Sequence, residues 1–317
     1  GASMSNLNEI ADGIYQVRFT LEEARYQSRV YLVAGERGAV VETGPAFMVP
    51  SIVETLRSAP GGLAGVGYII PTHLHLDHGG GAGALAQALP AAIVIAHQRA
   101  ARHLTDPSRL IESTRLAFGR NFEEHYGPIL PVPQERLRPV ADGETIDLGG
   151  RELRVIYTPG HAPHHMCLLD SRTRALFVGE ALGHYLPDIR GGDAGFLVPS
   201  IPLPVLEVDE AYHSIRRLQG LAPSLLIFSQ FGTSRRVEVL MREAKVALAT
   251  TSRIVLACLR DGGSEGEAAE RLLEHYSEGM SRLNPGRPPV RLSGAWEGTC
   301  LQTVQSLQAY FQKRGLV

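Results

Sequence analysis

Hydrophobic positions along this chain follow two different periods. Up to about residue 180 they come in short alternating or continuous runs of strand length, and beyond residue 235 they recur every three to four residues. Strands are predicted over 13–19, 30–33, 39–42, 66–70 and 92–96, with helices over 49–56 and 82–89, the latter stopped by Pro90. Residues 98–135 break the alternation with polar helical pieces and a Pro-rich end, as expected of an insertion that covers a site. A second β-rich block follows at 144–148, 153–158, 166–170 and 175–178, with Gly149-Gly150 as the turn between its first two strands. A helix over 207–218 is expected to bury Val208, Ala211, Tyr212, Ile215 and Leu218, and 225–228 reads as a further strand. The last third is helical: one stripe runs through Val237, Leu240, Met241, Ala244, Ala247 and Leu248, and another through Leu301, Val304, Leu307 and Phe311. Ser264 and Glu267 have capping-box spacing. This order of elements predicts a layered αββα core over residues 4–234, with a helical region over 235–317 that packs on the core or on a partner subunit.

Composition narrows the class without deciding it. The 317 residues are 44% hydrophobic and 20% charged, with a net charge of −2. That balance gives no basic field for nucleic acid. No apolar run is long enough to cross a membrane. Three cysteines, Cys167, Cys258 and Cys300, lie far apart with no CxxC, so no disulfide framework is expected and a cytoplasmic location is. Gly1-Ala2-Ser3 ahead of Met4 reads as a cloning scar.

The chemistry is concentrated after the strand at 66–70. His73-Leu74-His75-Leu76-Asp77-His78 places four metal-ligand side chains in six positions, followed by Gly79-Gly80-Gly81. Alternation sets His73 and His75 on one side, with Asp77 and His78 beyond them. Downstream, a strand ends at Thr158-Pro159-Gly160-His161, so His161 can complete a three-histidine face on one ion, with a fourth position open.

These motifs resemble the metallo-β-lactamase-fold hydrolases, the group that includes glyoxalase II, lactonases and thioesterases. The resemblance rests on Thr72 to Gly80, on Thr158 to His165, on Leu176-Phe177-Val178-Gly179-Glu180 and on Thr43-Gly44-Pro45-Ala46. It implies an αββα sandwich with an added C-terminal helical region, and metals at one edge of the two sheets. It also implies His73, His75 and His161 as ligands of a first ion, and Asp77 and His78 as ligands of a second. Two positions depart from the pattern. Glu180 stands where the family bridges its metals with aspartate, and Gln230 where it places a last histidine. A longer bridge and a neutral amide both weaken the second site. Three outcomes stay open: a weak second Zn²⁺ with Glu180 bridging, a single Zn²⁺, or a harder ion such as iron or manganese. His184, four residues after Glu180, would share a face with it in a helical turn, as a substitute ligand or as an acid/base. His165 reads as a supporting residue, and His97, His103, His125, His213 and His275 lack ligand spacing.

The expected activity is metal-dependent hydrolysis of an ester, thioester or lactone of small size, with Asp77 orienting the attacking water. The departures keep two alternatives open: a non-hydrolytic metal-dependent step (a lyase, a cyclisation or an oxygen-dependent reaction) and a regulatory or binding protein with residual activity. The pocket is expected to be shaped by 98–133 and 184–204, where Pro199, Pro202 and Pro204 stiffen a loop. A homodimer through the C-terminal helices is compatible with their apolar stripes.

Overall fold

The computed structural model describes residues 7–19, 28–119, 122–187, 195–202, 206–283 and 285–317. Residues 1–3 and Pro204 lie outside that set. The chain forms two compact units.

The first unit runs to Tyr157 and includes His164–Gly179. It opens with four antiparallel strands, β1 (Leu7–Ala11), β2 (Ile14–Val17), β3 (Tyr31–Val33) and β4 (Gly38–Val41). Helix α1 (Val49–Arg57) leads to β5 (Val66–Ile70). Two short helices, α2 (Leu76–Gly79) and α3 (Ala82–Ala88), lead to β6 (Ile93–His97). Helices α4 (Gln98–Thr105), α5 (Ser108–Phe118) and α6 (Phe122–Tyr126) lead to β7 (Leu137–Val140). The seven strands form one mixed sheet in chain order, parallel from β4 to β7. Every residue of β4 and β5 is buried, which explains their continuous apolar character: parallel strands are covered on both faces. Ile52 and Leu56 of α1 and Leu85 of α3 pack into one core with Val40, Ile69 and Val94.

The unit continues with antiparallel strands β8 (Thr145–Asp147), β9 (Glu152–Tyr157), β10 (Met166–Asp170) and β11 (Ala175–Gly179). Tyr31 of β3 meets Phe177 of β11 edge-on, with ring centroids 5.7 Å apart. A fully buried ion pair joins the residue before β9 to the end of β10: Arg151 Nε donates to Asp170 Oδ1 at 2.6 Å and Nη2 to Oδ2 at 2.9 Å. Burial alone would raise the Asp170 carboxyl. The bonds from Arg151 and Thr173 outweigh it and hold the carboxyl below its ordinary value.

The second unit holds Thr158–Pro163 and the chain from Glu180 onward. A hairpin of β12 (His184–Pro187) and β13 (Gly195–Val198) precedes α7 (Val208–Gln219) and the antiparallel pair β14 (Leu225–Phe228) and β15 (Thr233–Ser234). Three long helices follow, α8 (Val237–Arg260), α9 (Glu265–Arg282) and α10 (Ala295–Lys313). Their apolar faces bury one another, through Val255, Leu272, Tyr276, Val304 and Phe311 among others. Ser264 and Glu267 form the expected capping box on α9. Two expected core residues are exposed, and Val208 and Ala247 are only half-buried. Tyr212 is exposed because Ser214 holds the buried edge of α7, and Leu301 is exposed because Cys300, Val304 and Leu307 take the inner face of α10. All three cysteines are buried and none is in a disulfide, and burial pushes the Cys300 thiol up to about 12. Among the described residues, no helix is long and apolar enough to cross a membrane.

Candidate metal centre

The histidine loop leaves the buried end of β5 and is held by the turn after β4. Thr43 N and Thr43 Oγ1 both donate to the His78 carbonyl, at 2.9 and 2.7 Å, and Gly81 N donates to Thr43 Oγ1 at 3.1 Å. Helix α2 begins directly after His75, which ends the strand-like alternation and sends Asp77 and His78 in a new direction. The glycines are needed for close approach. A Cβ on Gly79 would lie 2.9 Å from the His73 carbonyl, and one on Gly81 would lie 2.8 Å from that of Thr43.

A buried carboxylate, Glu42, organises this loop. Its backbone has φ +67°, a conformation that side chains rarely adopt and that the surrounding contacts must enforce. Thr72 Oγ1 lies 2.5 Å from Glu42 Oε1 and 3.0 Å from His73 Nδ1. A carboxylate accepts, so the Thr72 hydroxyl gives its one proton to Glu42 and receives the His73 Nδ1–H. That chain leaves His73 Nε2 with a lone pair, and Nε2 lies 3.0 Å from His75 Nδ1. The other Glu42 oxygen is 3.5 Å from His78 Nδ1, while His78 Nε2 lies 3.2 Å from Asp77 Oδ2. Buried His165 packs against the His73 ring at 5.0 Å between centroids.

His161 is fixed by its own turn. Gly160, at φ +135°, passes so close to α7 that a Cβ would lie 2.5 Å from Ala211 Cα. Ser214 Oγ donates to the Pro159 carbonyl at 2.7 Å. His161 Nδ1 lies 3.1 Å from the Ser200 carbonyl, which can only accept. The neutral imidazole therefore keeps its proton on Nδ1 and turns a lone pair on Nε2 toward Glu180 Oε2, 2.7 Å away. Two acceptors at that distance need a proton or a cation between them. Glu180 Oε1 contacts His184 Nε2. This contact is not made across a helical turn, as its four-residue spacing suggested. Gly183, at φ +88°, donates from its N to the Glu180 carbonyl at 3.0 Å, and His184 opens β12. A positive φ ends any helix there, and the tight turn brings the two side chains together instead. A small cavity of about 20 Å³, room for one water, lies against His161 and Glu180 and is otherwise lined mostly by apolar residues such as Leu206 and Ile215.

One donor atom from each of His73, His75, His161 and Glu180 lies within 4.8 Å of all the others. Three imidazoles and a carboxylate, with tautomers preset at His73 and His161, are the donor set of a first-row divalent ion. Asp77 and His78 are outside that group and contact each other and, through His78, Glu42. Gln230 follows β14 in a turn closed by Gly232 N on its carbonyl at 3.0 Å.

Residues 24–229 match the sequence model of the Metallo-beta-lactamase superfamily. The chain belongs to that superfamily. Its His73, His75, His161 and Glu180 form a His-rich candidate metal group. A metallo-beta-lactamase fold-containing protein of Sulfurisphaera tokodaii, ST1585, is 32% identical over 168 residues, 52% of this chain and 60% of that protein. The human protein named acyl-coenzyme A thioesterase MBLAC2 is 27% identical over 198 residues, 55% of this chain and 64% of its own. The chain thus spans less than two thirds of either relative. The crystal structure of the Thermus thermophilus family member TTHA1429 superposes with a TM-score of 0.65 at 21% identity, covering 97% of this chain and 95% of that one. The αββα architecture with C-terminal helices is therefore the fold of this superfamily member.

Neither Glu42 nor Ser200 belongs to a recognisable sequence motif. Glu42 did leave a signal: it is a lone carboxylate directly after a strand whose every residue is buried. Ser200 left none, because it acts through a backbone carbonyl.

Proposed function

We propose that this protein hydrolyses acyl thioesters of small molecules, with related esters and lactones as secondary substrates. The observation that carries this is the four-donor group at His73, His75, His161 and Glu180. The thioester class is favoured by the relative named as an acyl-coenzyme A thioesterase. Zn²⁺ is the ion assigned, because imidazole-rich sites with one carboxylate suit it. Bound there, the ion supplies Lewis acidity toward a carbonyl oxygen and acidifies a water near neutral pH. The chain's own residues do the rest. Thr72 and Ser200 hold His73 and His161 in the tautomers that present Nε2. Asp77, partly exposed in the first turn of α2, orients the attacking water and takes its proton. With a single ion bound, His184, against Glu180 and partly exposed, would be the proton source for the leaving group.

A panel of acyl-coenzyme A thioesters, aryl esters and lactones offered to zinc-loaded protein tests the assignment. Thioesters should give the highest kcat/KM. Absence of turnover across the whole panel by protein with a verified metal content would refute it.

A further inference from the structure

The imidazole missing at position 230 has a counterpart elsewhere in the same unit. Glu180 is clasped by two imidazoles, one on each oxygen: Oε2 lies 2.7 Å from His161 Nε2, and Oε1 contacts His184 Nε2. The clasp is built in. A Cβ on Gly183 would lie 2.3 Å from the Val198 carbonyl, so the Glu180 to His184 turn is pressed against β13, where His184 pairs with Val198. The Glu180 side chain is 5% exposed and that of His184 is 21% exposed, so the imidazole is the more open member of this contact. Glutamate reaches one methylene further than aspartate, and the two changes belong together. The longer side chain carries Oε1 away from its backbone, and the nitrogen it meets comes from the start of β12 instead of the end of β14.

We propose that His184 is a nitrogen ligand of a second metal ion, which shares Glu180 with the ion at His73, His75 and His161. The proposal rests on the metal-centre assignment above and adds a residue to it. His184 would then serve as that ligand in the metal-loaded enzyme and reach a leaving group only when the second ion is absent. Gln230 need not be a ligand at all. The longer carboxylate and the displaced imidazole are one compensated arrangement, not two losses.

Metal content tests this directly. Protein stripped with chelator and dialysed against excess Zn²⁺ should carry two equivalents by plasma mass spectrometry. His184→Gln should keep one tightly held equivalent and lose the second, or bind it at least tenfold more weakly by chelator competition. Gln230→Ala should keep two. Because loss of an ion can also follow from a damaged fold, His184→Cys provides a positive signal. Loaded with Co²⁺, it should show a sulfur-to-cobalt charge-transfer band that the wild type lacks. One equivalent in the saturated wild type, two unweakened equivalents in His184→Gln, or no such band in folded His184→Cys would each overturn the proposal and leave the first ion intact. No bound metal in the wild type would overturn the metal-centre assignment itself.

Discussion

Thr72 occupies a position where one hydroxyl proton decides the chemistry of its neighbour. Its donation to Glu42 obliges it to accept from His73 Nδ1, and so exposes the His73 Nε2 lone pair. Thr72→Val keeps the shape, removes that relay and takes the hydroxyl hydrogen bond from a buried carboxylate. Loss of a hydrogen-bonding partner behind a metal ligand typically costs 10- to 100-fold in affinity. Chelator competition should show a loss in that range for Thr72→Val, and unchanged affinity would remove Glu42 and Thr72 from the account. The histidines of the four-donor group were legible in the sequence, because His73 and His75 stand two apart after a buried strand and Pro159-Gly160-His161 marks a rigid strand end. Their orienting partners were not. Glu42 and Thr72 are 30 residues apart, His161 and Ser200 are 39 apart, and only the folded chain brings each pair together.

Among the elements, α4 shows how a histidine outside the ligand set earns its place. His97 caps this helix: its Nδ1 accepts from Arg99 N at 2.9 Å, and its ring stacks on Tyr157 at 3.7 Å between centroids. A protonated Nδ1 could not accept. Burial first, and then the Arg99 charge, lower His97 to about 4, while Asp142 opposes them weakly. The folded value is below the ordinary 6.5, so the unfolded chain binds more protons between those values. The contribution is complete above about pH 6.5 and is lost as the pH falls toward 4. His97→Asn keeps a cap acceptor without the titration. Between pH 7 and pH 5 the wild type should lose on the order of 2 kcal/mol more stability than the variant in urea titrations. Parallel losses would contradict this. Periodicity located such elements well but judged their edges poorly. Tyr212 and Leu301 lie on the margins of their stripes, where three-dimensional neighbours and not spacing decide burial. The turn from Glu180 to His184 looked helical by count, yet Gly183 forces a different path.

For the molecule as a whole, the layered order of strands and helices was readable because buried parallel strands and amphipathic helices write different periods. The hairpin of β12 and β13 was not, since its short strands carry little pattern of their own. The proposed dependence of catalysis on an ion at His73, His75, His161 and Glu180 belongs to the molecule as a whole. Its most direct test is the initial rate of acyl-thioester hydrolysis by chelator-stripped protein, followed as Zn²⁺ is added and counted per chain. The rate should be near zero without metal and should climb as the first equivalent binds. A rate that is indifferent to metal content would contradict the account.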